Sequence, residues 1–510
     1  MAKRKSTSAV AVIAAVLTAL VCLFTVQLNA QAATYKKGEL KVISSDLRRP
    51  TVLKKGASFS ISGKLTANKN IERVEVSVYD RNQFKNDTFY GKNISSKTVK
   101  LKDYDSKIKF GKLSSGEKQL RYTLTDTDGN KIVIRRNFTV LGAAKEPKHM
   151  TSKCKVTVSK GKAKNVTDND IDTTWTGGKM TITMPKDKTP DGILIKWHLT
   201  KNDYTFKSYD ENGKVLNKYT GKSFGKIHNY YKLNKNTVKV TINLKKEKGN
   251  NGICTLRVYE KGKVGPSVEQ WQTPKAKNCD LMVISAHRDD ELLFFGGTIP
   301  YYNNVRHKNV YTMYMSGTDR LRVREALAGQ WSMGVKTYPI FMGYIGGYHK
   351  GVSGTLKDWG GEDAVLGKMV EKIREYRPDV IVTHDKDGEY GHPTHKTTSY
   401  LVTKAVKLAK DKTKYKSSYK KYGTWKVKKV YCHYTNTNPI TMNWSKHYSQ
   451  LDGKSPIQVA TVAFDKHRSQ HGGWDMNNST VKKYSNKKFG LVYTTVGKDK
   501  KKNDFFEHIK

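Results

Sequence analysis

The chain is short of acid. Its 510 residues include 45 Asp plus Glu against 94 Lys plus Arg, a formal net charge of +49. The excess is mostly lysine and runs along nearly the whole length. Such a surface collects polyanions, either nucleic acid or the phosphate- and carboxylate-bearing polymers of a bacterial-type wall. Nucleic acid is the weaker candidate, because the basic stretches carry no aromatic-basic recognition motif. Cysteine is also scarce, five in all. No CxxC or Cys/His cluster occurs, which excludes a cysteine-based zinc site. No internal repeat is present. Beyond the first residues, no apolar stretch is long enough to span a bilayer.

What is present begins with that N-terminus. Ala2-Lys3-Arg4-Lys5 is basic, Ala9 to Val26 is apolar, and Ala30-Gln31-Ala32 is a small-x-small site. This order is that of a secretory signal peptide over residues 1–32. We therefore expect a secreted protein, held to a wall by its charge. Export permits disulfides among Cys154, Cys254, Cys279 and Cys432. Three pairings are open, and separate folding of domains favours Cys154–Cys254 with Cys279–Cys432.

The expected fold class is multidomain: two β-sandwiches followed by an α/β layered domain. From 36 to 142, Ser58–Ser62, Val74–Val78 and Lys131–Ile134 read as strands. Asp126-Thr127-Asp128-Gly129-Asn130 reads as a turn between strands. The unit looks immunoglobulin-like. Gly142 to Lys148 is a linker, and a second β-rich unit covers 150–261. From 279 to 510 the texture changes. Asp280–Ala286 is a continuous apolar strand of the buried, parallel kind. Further strands at 311–316, 379–383 and 427–434 alternate with helices at 322–333, 362–376 and 394–408, which predicts a mainly parallel sheet.

In such sheets ligands bind at the carboxyl ends of the strands. His287, Asp289, Asp290 and Glu291 follow the first strand, and His384, Asp385, His392 and His395 follow the strand 379–383. Singly, each has a bland reading as a solvated loop residue. Together they bring imidazoles and carboxylates to one edge. His287 and Asp290 are three apart across a turn, and His392 and His395 share that spacing at a helix start. Two neutral histidines and a carboxylate make a catalytic-type zinc set.

These residues carry a resemblance. Ala286-His287-Arg288-Asp289-Asp290-Glu291 with Gly296-Gly297-Thr298 resembles the first signature of the PIG-L/LmbE-like N-acetylglucosaminyl de-N-acetylases. His384-x3-Gly388-Glu389-Tyr390-Gly391-His392-Pro393-Thr394-His395 resembles the second. Arg322-x-x-Glu325 and His467-Arg468-Ser469-Gln470 resemble two further elements. The resemblance covers about 280–470. It implies a Rossmann-like domain that releases acetate from an N-acetylhexosamine. It implies His287, Asp290 and His395 as ligands to zinc or another divalent ion such as Fe2+. It implies Asp289 as base and His392 as stabiliser of developing charge, with Arg322 touching substrate; the residues alone equally allow Arg322 a helix-surface ion pair with Glu325. Glu291 and Glu389 would orient the ligands from behind. Arg288 stands where the family has proline. It is expected either to loosen the metal turn or to contact an anionic substrate. With export and charge, the expected partner is an anionic envelope glycan. The competing class is a non-catalytic wall-binding protein; loss of Asp289 or a ligand would have marked it, and none is lost. Residues 150–261 bear a shorter resemblance to discoidin (factor 5/8 C-type) domains, through Asp168–Gly177 and Leu256–Glu260. Those domains often join their ends by a disulfide, and they bind carbohydrate or surface ligands.

Overall fold

A computed structural model describes residues 28–509, except 31–32, 51, 81–84, 115, 142–147, 169–172, 199–202, 223–225, 246–251, 318, 472–473 and 477. The expected signal peptide, most of the linker and most of the Asp-rich turn lie outside the described residues. The chain falls into two compact units, Met1–Lys145 with His467–Ser479, and Glu146–Lys466 with Thr480–Lys510. Among the described residues no helix is long and apolar enough to cross a membrane.

The first unit is built on the long strand Lys64–Asp80, which pairs antiparallel with Leu40–Ser45, Lys85–Lys100 and Gly116–Asp126. Val74, Val76 and Val78 are fully buried at alternate positions, the period of a strand with one face on a core. Gly116–Asp126 and Lys131–Leu141 form the expected hairpin. At its turn the Asp126 carboxylate accepts the N–H groups of Asp128 and Asn130. Ser58–Ser62 is not a strand. Ile61 is buried, but its N–H goes to Asp105 Oδ1 at 2.7 Å, so the apolar alternation there serves packing without a ladder.

In the second unit, residues 150–261 make two antiparallel sheets. Five strands run Lys155–Val158, Gly178–Thr183, Lys239–Leu244, Asp203–Tyr209 and Val215–Lys222 in spatial order. Three run His228–Lys232, Pro190–Trp197 and Ile253–Glu260. Ile182 and Ile242 of one sheet share a core with Ile195 and Leu256 of the other. The ends of the region meet where Met150 N–H donates to Val258 O at 2.8 Å. The expected disulfides are absent: all four cysteines are free thiols. Each sits in its own surroundings, Cys154 near Met150 O, Cys254 against Lys196 O and Arg324, and Cys432 against Ser399.

The α/β part has seven strands: β1 (Leu281–Ser285), β2 (Val310–Ser316), β3 (Ile340–Tyr344), β4 (Val380–Thr383), β5 (Lys429–His433), β6 (Pro439–Thr441) and β7 (Lys488–Thr494). Their order is β3-β2-β1-β4-β5-β7-β6. The first five are mutually parallel; β7 runs antiparallel to β5, and β6 pairs antiparallel with β7. The connection order reverses between β1 and β4, so a crevice opens at their carboxyl ends. Helices Arg320–Ser332, Glu362–Tyr376 and Pro393–Ala409 stand within two residues of expectation. The β-rich and α/β parts share an apolar seam of Ile227, Leu327 and Tyr338, with Trp271, Val323 and Phe341 packed on it. Arg324 reaches across to Trp197 O and Cys254 Sγ, and His228 faces Glu269 at 2.5 Å.

Candidate functional site

The site grows from the end of β1. Ser285 and Ala286 are buried, and the chain then turns sharply into the short helix Asp290–Leu293. Asp289 makes the turn with φ 141°, a strained backbone for a residue with a Cβ. The turn aims Asp290 Oδ2 back at His287, where it accepts the backbone N–H at 2.8 Å and lies 3.0 Å from Nδ1.

The second contribution comes from beyond β4. Pro393 takes the first position of helix Pro393–Ala409, where a missing N–H costs nothing. His392 caps that helix, and His395 lies one turn on, their rings stacked at 4.6 Å. His395 Nε2 is 3.2 Å from His287 Nδ1 and 3.2 Å from Asp290 Oδ2. Three donor atoms from the two segments therefore form a triangle with sides of 3.0, 3.2 and 3.2 Å. A tetrahedral ion with bonds of about 2.0–2.1 Å needs ligands about 3.3 Å apart. The donor set fits a zinc-type ion in chemistry and spacing.

Two other combinations also bring their donor atoms within 4.8 Å: His287, His392 and His395; and Asp290, His384 and His395. His384 is engaged, because its Nε2 accepts Ala286 N–H at 2.9 Å. His392 Nδ1 accepts from Thr394, so its neutral ring carries the proton on Nε2.

Electrostatics follow from burial. Burial raises the carboxyl of Asp290, but His395 and His287 reverse this and hold it well below the usual range. Burial lowers His395, yet Asp290 and Glu389 outweigh it and push the ring up to about 10. The nest of carboxylates thus demands positive charge at this spot. His287 is lowered by burial, and His392 is lowered to about 3 by burial and by the neighbouring rings. Asp289 is driven well up by burial; Arg322 opposes this, while Asp290 and Glu291 add to it.

Arg322 reaches from its helix to Asp289 Oδ1 at 2.8 Å and Arg288 O at 2.9 Å. With these bonds it clamps the turn while its side chain stays 24% exposed. Arg288 is 1% exposed, its Nη1 donating to Gly317 O at 2.7 Å. That burial does not fit the expected contact with an anionic substrate. The guanidinium instead fills the space over Gly317, and burial lowers it to about 10. Glu291 accepts Asp289 N–H at 2.9 Å and also Tyr314 O–H, and burial raises it to about 7. Glu389 is surrounded by His384, His395 and His433 Nδ1 atoms at 3.1, 2.6 and 2.8 Å. Both glutamates stand behind the turn and the ligands. His433 and Thr394 escaped the sequence reading. Thr394 Oγ1 is 3.0 Å from His287 Nε2. His433 ends β5, and its place at a parallel strand end is the signal that marked the others. The closing element forms the turn Arg468–Gln470 and belongs to the first unit.

The α/β part of the chain is similar to known proteins. Residues 282–406 match the family described as PIG-L: GlcNAc-PI de-N-acetylase. The 1D-myo-inositol 2-acetamido-2-deoxy-alpha-D-glucopyranoside deacetylase of Mycolicibacterium smegmatis is 31% identical over 156 residues, 25% of this chain and 53% of that protein. The protein of the same name from Rhodococcus opacus is 30% identical over 156 residues, 25% and 53%. The chain spans about half the length of the curated relatives it matches. Among solved structures, N,N'-diacetylchitobiose deacetylase from Pyrococcus horikoshii aligns with 19% identity and a TM-score of 0.29, over 39% of this chain and 72% of that one.

Proposed function

We propose that the α/β part of this chain is a divalent-metal-dependent hydrolase that removes N-acetyl groups from an N-acetylhexosamine-containing substrate. The observation that carries this reading is the triangle of His287, Asp290 and His395 donor atoms at 3.0–3.2 Å, with Asp289 adjacent and outside it. These three would hold the ion, zinc by donor type. When bound, such an ion supplies Lewis acidity and acidifies water. Asp289, held by Arg322, takes the proton of the attacking water and returns it to the leaving amine. Neutral His392 presents its Nε2–H to the carbonyl oxygen as charge develops there. Acetate and a free amino sugar result. The names of the relatives support an acetamido sugar. The leader at 1–32 and the charge of +49 support action outside the cell on an anionic envelope glycan. In this reading residues 36–142 and 150–261 are immunoglobulin-like and discoidin-like modules that hold the enzyme to its surface.

The test is acetate release from GlcNAc-containing polymers and glycosides, with and without chelator, beside Asp289→Asn. Chelation should abolish release, and the variant should lower it about a hundredfold or more. Release indifferent to both would sink the mechanism. No release from any substrate would favour a binding protein.

A further inference from the structure

A second group of buried charges lies in the first unit. Lys118 stands directly opposite Asp80 in the antiparallel register of Gly116–Asp126 and Lys64–Asp80. Its Nζ is 2.5 Å from Asp80 Oδ2 and 3.0 Å from Asp87 Oδ2. The three side chains are 0%, 1% and 10% exposed. Ser114 Oγ links the group, 2.6 Å from Lys118 Nζ, 2.8 Å from Asp80 Oδ2 and 2.9 Å from Asp87 Oδ2. On the same sheet face, Val78, Leu120 and Phe138 are the strand neighbours, all buried.

Among the described residues one buried amine meets two carboxylates at once. The buried Lys429 makes the contrast. It meets the single carboxylate of Asp499 and the Glu507 carbonyl, with Tyr431 O–H donating to the same carboxylate. Among the described residues no second carboxylate lies within ion-pair distance of that amine. At Lys118 the extra carboxylate is within proton-transfer distance of the amine, and the amine is fixed against a carboxyl in an apolar setting. Fixed contact of this kind replaces the entropy cost of bringing an amine and an acid together.

We propose that Lys118 and Asp80 are joined by an intramolecular isopeptide bond that the chain forms unaided, with Asp87 as the proton carrier. Lys118 passes a proton to Asp87, and the freed amine attacks Asp80 Cγ. The proton returns through Ser114 to the departing oxygen of Asp80. A second proton leaves the nitrogen for the same oxygen, the C–O bond breaks and one water departs. One ammonium and one carboxylate are consumed, one neutral amide is formed, and Asp87 ends as it began. The bond closes a covalent loop around strand Lys85–Lys100 and locks the long central strand to its neighbour.

The experiment is proteolytic mapping of the purified full chain by mass spectrometry under denaturing conditions. The expected product is a branched peptide joining the Asp80 and Lys118 segments, lighter by one water than its two arms. Lys118→Ala would bury two carboxylates without their cation, so the informative variant is Asp87→Asn. It keeps lysine opposite one carboxylate and should yield only linear peptides from a chain with unchanged circular dichroism. Linear peptides alone from the unaltered chain overturn the proposal. A branched peptide in Asp87→Asn overturns the role of Asp87. A branch at Lys429 and Asp499 overturns the argument that the second carboxylate is needed.

Discussion

At the scale of single residues, the candidate site depends on a turn that its own backbone disfavours. Asp289 at φ 141° carries strain of about 1–3 kcal/mol, and its neighbours hold it there. Glu291 takes its N–H, Arg322 takes its carboxylate, and Arg288 fills the space above Gly317. Gly317 has φ +96°, and a Cβ there would fall 1.9 Å from Arg288 Nη2. Gly317→Ala should therefore displace Arg288 and loosen the turn. The expected cost is about 1–3 kcal/mol in denaturant unfolding. Acetate release should fall more than metal affinity does, because no ligand is touched. Equal unfolding midpoints for variant and parent would refute the wedge. The residue types of the site were legible because His287, Asp290 and His395 sit in two short motifs. The partners of Arg288 and Arg322 were not, because each lies about thirty residues away across a turn whose shape no spacing encodes.

At the scale of elements, the apolar run of β1 and the helix Glu362–Tyr376 were readable from continuous or periodic burial. β3 was missed because Gly343 interrupts its short apolar run, and β7 because lysines crowd its start. Strand order was also hidden, and with it His433, which joins Glu389 only because β5 lies beside β4. The seam between the β-rich and α/β parts has a titratable pair. Burial lowers His228 to about 4 although Glu269 favours its charge, and Lys196 and Arg324 lower it further. Glu269 is lowered as well: burial opposes its charge, but His228 and Lys196 outweigh it. A histidine kept neutral by folding contributes its full stability above its unfolded pKa of about 6.5. That contribution drains as pH falls toward 4. Glu269 has the same sign lower down, so the two effects reinforce one another. Thermal melts from pH 7 to pH 4 should show steep loss, blunted in His228→Gln. A flat profile would remove the pair from the account.

At the scale of the whole molecule, the charge of +49 is the feature most visible in the sequence and least tied to the fold. Surface charges are screened over about 8 Å at physiological salt. Retention on an immobilised carboxylate or phosphate polymer should therefore fall steeply as salt is raised. Retention indifferent to salt would mean that a shaped pocket, and not charge, holds the polymer. The same experiment on neutral chitin separates the two modes.

Glu389 gathers three imidazoles, two from strand ends and one from the helix Pro393–Ala409, and only His395 among them belongs to the proposed ligand triangle. Its carboxylate couples that ligand to two rings that need never touch an ion. Loading the centre must then alter the magnetic surroundings of His433, whose other nitrogen is 3.2 Å from Ser485 O. That ring is a built-in spectator, and its imidazole resonances would report occupancy without any label at the centre itself.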